Sequence, residues 1–430
     1  MNYKLFKICL LLAFATSVAT SVPVNAQPNN QYEIPGVATN NSIILSYDDK
    51  VDIVYNENGY RAFLYVNRSG MTAEEAQVPD LDEVRDMEIA GDMVYFCGVM
   101  NGDEGIGWFD INALFFSGGS VSFIPILPVP VYSNPLSFTL RKLEVYNPTP
   151  GVIHVFVLGD MVYGASFNIP PDYTYLFDVR YNGSNWQIDG VYDPNGDYLF
   201  DDLTLTANYL MVAGHKYAGG DYSHTAATLS AVTTTILNLS NLPMHSCAPN
   251  DYYILSRHLI EALDNDEYIM ASYGMYEMTP GVIFSYYSSP GNLVYRWMVP
   301  NVTTTSEFRE LRKRVSANEV YLVPDHNFSL TTDQMYSTDY GTVTGLLSPQ
   351  QLEILHSLDR KPNGNGMIVS GQIPGGDLRI WEALYKTTSC ATADILPLVS
   401  TIHDVTDWDM EVKPYYSEAA PFFYMATVTT

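Results

Sequence analysis

A short pattern of apolar and charged positions recurs along the chain. Its fullest copy reads Leu140-Arg141-Lys142-Leu143-Glu144-Val145: an apolar residue, two charges, then apolar and polar residues in alternation. Variants are Val84-Arg85-Asp86-Met87, Phe200-Asp201-Asp202-Leu203, Ser256-Arg257-His258-Leu259, Phe308-Arg309-Glu310-Leu311, Leu355-His356-Ser357-Leu358 and Ile402-His403-Asp404-Val405. The second position falls at 85, 141, 201, 257, 309, 356 and 403, at intervals of 47 to 60 residues. A turn and a second apolar run follow most copies, such as Met93 to Val99 after Gly91-Asp92, or Tyr268 to Tyr273. Period-two apolar runs bounded by Gly, Asn and Asp are strand signals.

In the first full unit two more strands are predicted, Ile106 to Ile111 and around Val121 to Ile126. Four short strands per unit, repeated at this spacing, describe the blades of an all-β β-propeller. One blade cannot cover both its faces, and stacking the units around an axis does so. Residues 42–66 supply two strands without the motif, and the copy from Ile402 has chain for two more. Together these predict seven blades, the last closed by strands from both termini, which removes two sheet edges. Residues 27–41 read as a flexible lead-in, 71–81 as an acidic connection with room for a helical turn, and 42–430 as a single propeller domain. Ser348-Pro349-Gln350-Gln351 carries helix-start signals, whereas the register of the repeat favours a strand beyond it.

Composition supports this reading. The chain of 430 residues is 47% hydrophobic and 13% aromatic with only 16% charged residues, and Tyr alone occurs 33 times. Such usage suits pleated, half-buried surfaces. At the N-terminus Lys4 and Lys7, the apolar run Ile8 to Ala15 and Val24-Asn25-Ala26 form an export signal over residues 1–26. The apolar run is too short to span a bilayer, and no later segment qualifies. An exported protein, periplasmic, cell-surface or extracellular, is expected. Without Lys4 and Lys7, 19 basic residues face 48 acidic ones. That excess repels nucleic acid and anionic lipid and favours neutral or cationic partners. Beyond Cys9 of the signal, Cys97, Cys247 and Cys390 show no CxxC spacing, so no disulfide framework is expected.

Candidate chemistry follows from the architecture. Charged pairs in every inner strand would converge on the channel mouth where the strands begin. The candidates are Arg85, Arg141, Asp201, Asp202, Arg257, His258, Arg309, His356, His403 and Asp404. They either pair blade to blade and hold the ring together, or contact a ligand. Successive strand residues face opposite ways, so only one of each pair should reach the channel. Asp201 or Asp202 with Glu310 would supply paired carboxylates for hydrolysis. His258, His356 and His403 could bind a divalent metal with Asp201, Asp202 or Asp404, but no HxxxH spacing supports this. Asp193, Asn195 and Asp197 place oxygens at alternate positions, as calcium loops do, but the glycine stands too early. A tight turn without a cofactor is the simpler reading.

The runs Asp86-Met87-Glu88-Ile89-Ala90-Gly91-Asp92-Met93-Val94-Tyr95-Phe96-Cys97-Gly98 and Gly105-Ile106-Gly107-Trp108-Phe109-Asp110-Ile111, with the export signal, resemble secreted bacterial β-propeller proteins of unassigned function. The resemblance implies a fold and carries over no catalytic residue. Two functions are expected from such a scaffold. One is non-catalytic binding of a glycan, peptide or protein partner on one face or at the channel mouth. The alternative is a hydrolase or lyase acting on a carbohydrate or peptide there.

Overall fold

A computed structural model describes residues 30–384 except 71, 128–134, 164–171, 193–197, 219–220, 231–235, 242–251, 264, 277–278, 291, 301–307, 314–318, 325–334, 340–341, 348–353, 363–365 and 374–375. The described strands form seven four-stranded antiparallel sheets. The protein is an all-β β-propeller. Each sheet starts with an inner strand: β2 (Asn41–Ser46), β6 (Leu81–Ala90), β10 (Pro135–Thr149), β14 (Tyr198–Leu205), β18 (Tyr252–Ala262), β22 (Phe308–Lys313) and β26 (Ile354–Arg360). Each packs on the next, and β26 packs on β2.

Burial follows from that stacking. The second strand of the first sheet, β3 (Val51–Glu57), is buried at every position but its last, because neighbouring sheets cover both of its faces. Shared clusters seal the junctions. Tyr55 and Phe63 of one sheet join Val84, Phe96 and Phe109 of the next. Tyr95, Cys97 and Ile106 join Leu143, Val157 and Phe177. Cys97 is a buried free thiol packed as a small hydrophobe.

The recurring motif acquires a geometric meaning here. In every sheet that carries it, the inner strand slips register against its neighbour at the motif. The slip lies between Val84 and Asp86, Leu140 and Lys142, Phe200 and Asp202, Ile254 and His258, Phe308 and Glu310, and Leu355 and Ser357. In five of the six the second motif residue is therefore the extra residue of a β-bulge, and in β18 the slip is two residues wide and takes in Arg257. Bulges bend a strand and re-aim its side chains, so strict alternation fails at this point. Across from each bulge the partner residue is Gly98, Gly159, Gly214, Gly274 or Gly371, with Pro324 in the sixth hairpin. At Gly98 an added Cβ would lie 2.0 Å from the Glu83 carbonyl oxygen, and at Gly214 2.1 Å from that of Leu199. At these two positions the bulge brings backbone against backbone, and only glycine fits.

Three expectations change. Residues 30–38 are not a loose lead-in: β1 (Asn30–Ala38) pairs antiparallel with β28 (Asp377–Leu384) and completes the sheet that holds β26. Pro35 is tolerated because β1 is an edge strand. The two strands in 42–66 are not half of a split blade. They belong to a sheet completed by β4 (Arg61–Asn67) and β5 (Thr72–Gln77), so part of the expected acidic connection is an exposed outer strand. The predicted strand Ile106 to Ile111 ends one residue early, at Asp110, and Ile111 opens a helix, α1 (Ile111–Phe116), whose N-cap Asp110 accepts a hydrogen bond from Ala113 N. Beyond Ser348-Pro349-Gln350-Gln351 the register reading holds, because β26 is a strand. The copy at 402–405 lies outside the described residues. Among the described residues no helix is long and apolar enough to cross a membrane.

Candidate functional site

The candidate ring sits in the joints between sheets. Arg85 pairs with Glu83 and Glu104 at 2.6 and 2.8 Å and donates to the Leu140 carbonyl of the next sheet at 2.8 Å. Arg141 pairs with Asp160 at 2.7 Å and donates to the Asp201 carbonyl of the following sheet. Third-position residues reach backbone amides one sheet on. Leu143 N donates to Asp86 (2.9 Å), Ile260 N to Asp202 (3.0 Å), Leu358 N to Glu310 (2.8 Å) and Ile44 N to Ser357 (3.2 Å). Asp201 accepts from His258 N at 3.0 Å. Each such bond satisfies a buried amide that would otherwise be orphaned.

The histidines are equally enclosed. His258 is 1% exposed and its Nδ1 meets Ser272 Oγ. His356, also 1% exposed, meets Ser42 Oγ at 3.1 Å, and Ser42 in turn donates to Ser370. Among the described residues no group of three His, Cys, Asp or Glu side chains could hold a metal ion. Asp201, Asp202 and Glu310, the paired carboxylates considered for hydrolysis, hold amides or hydroxyls of the neighbouring sheets. Arg257 and Arg309 fall at bulges. Asp193, Asn195, Asp197, His403 and Asp404 lie outside the described residues.

The concave space lies three or four residues further along each inner strand that carries the motif. A cavity of about 600 Å³ opens on the axis, towards the C-terminal ends of the inner strands rather than their starts. Every inner strand contributes: Ser46, Glu88, Glu144, Thr204, Glu261, Arg312 and Asp359 line it in ring order, with Arg360 beside them. Of the motif candidates whose side chains are described, Arg85, Arg141, Asp201, Asp202, His258 and His356, none is among its lining residues. The second ring was legible in principle, because its members follow the second motif position by three residues in five copies. Its members are polar residues of differing type, without the doubled polar position that marks every copy of the motif.

The two halves of this ring differ. Glu261 pairs with Arg360 at 3.7 Å. Asp359 accepts from Ser46 N at 2.8 Å, and Thr204 Oγ accepts from Ala262 N at 3.2 Å. Arg312 stands between Glu261 and Asp359, and the surrounding acids, Glu310 foremost, raise its pKa well above the usual value despite burial. Glu88 and Glu144 have only the hydroxyl residues Ser46 and Thr204 as their outer ring neighbours. Burial pushes the Glu88 carboxyl up to about 7, against the pull of Arg312. Burial and the adjacent Glu88 raise Glu144 well above the usual carboxylate range. Desolvation and like charge act together on this pair.

No protein-family model matches the chain, and no curated protein does. Solved structures share its architecture. A chain of a mitotic checkpoint complex is 11% identical over 85% of this chain and 98% of its own, with a TM-score of 0.50. Acylaminoacyl peptidase of Pyrococcus horikoshii is 10% identical over 88% of this chain and 56% of its own, at 0.47. The β-propeller domain of the Trilobed protease from Pyrococcus furiosus is 9% identical over 83% and 98%, at 0.46. At such identities the likeness concerns the fold alone.

Proposed function

We propose that the chain is an exported, non-catalytic propeller of seven blades that binds a glycan, peptide or protein partner in its axial cavity. The observation that carries this reading is the cavity of about 600 Å³ to which all seven inner strands contribute a residue. That volume is within the range of small-ligand sites, roughly 300–1,000 Å³. Its polar lining sits on strands rather than loops, which suits recognition by a rigid wall. The blade count rests on the seven sheets and the packing of β26 on β2. Export rests on the N-terminal signal read from residues 1–26. The test is a panel of glycans and peptides offered to the mature chain, with Arg312→Gln and Glu261→Gln beside it. Ligands that bind wild type and change in affinity for both variants support the reading. Unchanged binding places the site elsewhere, and a panel without any ligand sinks it.

A second reading, hydrolysis of the bound glycan or peptide, is favoured by one observation. Glu88, at about 7, stands beside a second carboxyl, Glu144. A general acid needs its proton near neutral pH. In that case the panel releases product, and Glu88→Gln removes turnover while leaving binding.

A further inference from the structure

We propose that the Glu88–Glu144 half of the axial cavity receives the charged nitrogen of a small organic cation, a primary ammonium on an alkyl stem. This rests on the reading of the cavity as a binding site and names the ligand class it would take. The first support is the order of the ring. Passing round it, the acids Glu261 and Asp359 flank Arg312, and Glu261 also holds Arg360. That half is balanced by its own cations. On the other half Glu88 and Glu144 are adjacent, and their outer neighbours are the hydroxyl residues Ser46 and Thr204. Neither carboxylate makes a hydrogen bond or ion pair among the described residues, whereas the described acids of the motif ring, Asp86, Asp201, Asp202 and Glu310, all do.

With the six charged groups among its described lining residues ionised, four carboxylates face two guanidiniums, an excess of two negative charges. Two like charges side by side, shielded from bulk water, repel more strongly than they would at the surface. A cation between them relieves that repulsion. An ammonium has three N–H donors and can serve both carboxylates and a hydroxyl at once. Between the polar residues, Leu45, Met87, Ile89, Val145 and Leu205 line the same cavity and give an alkyl stem an apolar wall. A bare divalent ion would leave that wall without a role. The described residues also bring no three carboxylate, imidazole or thiol groups together for one.

Calorimetric titration of the mature chain with 1,4-diaminobutane tests the proposal, with butane-1,4-diol as the uncharged analogue and calcium chloride as the stemless cation. The diamine is expected to bind and the diol not to. The double variant E88Q/E144Q should lose about tenfold or more in affinity. Arg312→Gln, which removes the opposing positive charge, should bind the diamine more tightly, a gain that misfolding cannot produce. Affinity should rise between about pH 6 and pH 8, because protons compete for the carboxylates. Arg312, Asp86, Arg360 and Asp359 bear on Glu88, and Arg312, Glu261 and Asp202 on Glu144. Equal binding by the diol, diamine affinity unchanged in E88Q/E144Q, or calcium binding without diamine binding would each overturn the proposal, as would no binding of any of the three. If panel ligands still depend on Arg312 and Glu261 while E88Q/E144Q is without effect, the cation assignment falls and the cavity reading stands.

Discussion

Two rings of polar side chains circle the axis, three residues apart along most inner strands, and they do opposite things. The motif ring sits at the bulges, and its described acids hold amides of the next sheet. The cavity ring faces open space, and two of its acids, Glu88 and Glu144, hold nothing among the described residues. Removing a group from the first ring orphans a buried donor, whereas removing Glu88 or Glu144 relieves a repulsion. Equal charge at equal depth in a repeat thus says little about role. The partner on the neighbouring strand decides it.

The sharpest break should come from the glycine opposite a bulge. Gly98→Ala places a methyl group 2.0 Å from a backbone carbonyl that the bulge holds in place. A loss of about 3 kcal/mol in chemical denaturation is expected, at the upper end for overpacking. Gly59→Ala also meets strain, because its φ is +69°, but it has no atom within 4 Å and should cost about 1 kcal/mol.

Next comes the motif ring itself. Asp202→Ala strips the acceptor from Ile260 N at a buried joint, which should cost about 1–3 kcal/mol. Asp202→Asn, which keeps an acceptor oxygen, should recover most of that loss. Equal damage from both variants would mean that the carboxylate's charge, not its hydrogen bond, holds the joint.

A smaller effect separates the rings by pH. Burial raises Asp202 to about 6 and Glu88 to about 7 in the folded state. A raised folded pKa means that the native state binds protons more readily than the unfolded chain does. Each group's contribution to stability is therefore present below about pH 4 and is lost as pH rises towards 7. Glu88→Gln should flatten that decline between about pH 4 and 7 in thermal melts, and an unchanged slope would contradict it. Smallest of all, Glu144→Gln should change stability by no more than about 0.5 kcal/mol in denaturation, or raise it, since it breaks no bond.

Much of the fold was legible because bulges leave a mark in sequence: a doubled polar position and, in five of the six hairpins, a glycine across from it. Six inner strands could be read that way. The seventh, β2, could not, because its hairpin with β3 runs in register from Asn41 to Ser46 without a bulge. Outer strands carry the faintest signal. In β5, Thr72–Gln77 is polar and mostly exposed, so no face alternates. In β1, Pro35 interrupts the pattern and the register slips between Glu33 and Ala38. Placement of the site was harder still. The doubled charge drew attention to the joints, and the lining position shows Ser, Glu, Thr, Arg and Asp in turn. Only the assembled ring reveals that these seven residues belong together.

The pairing of β1 with β28 also sets an order of events. Tyr32 donates to Glu382 across 350 residues of chain. Made at about 5–20 residues per second, the first strand waits roughly 20–70 s for its partner. Every other sheet can zip from consecutive strands as they emerge. The circle itself can close only once the last described sheet has been made, so its final step joins the oldest strand of the set to the youngest.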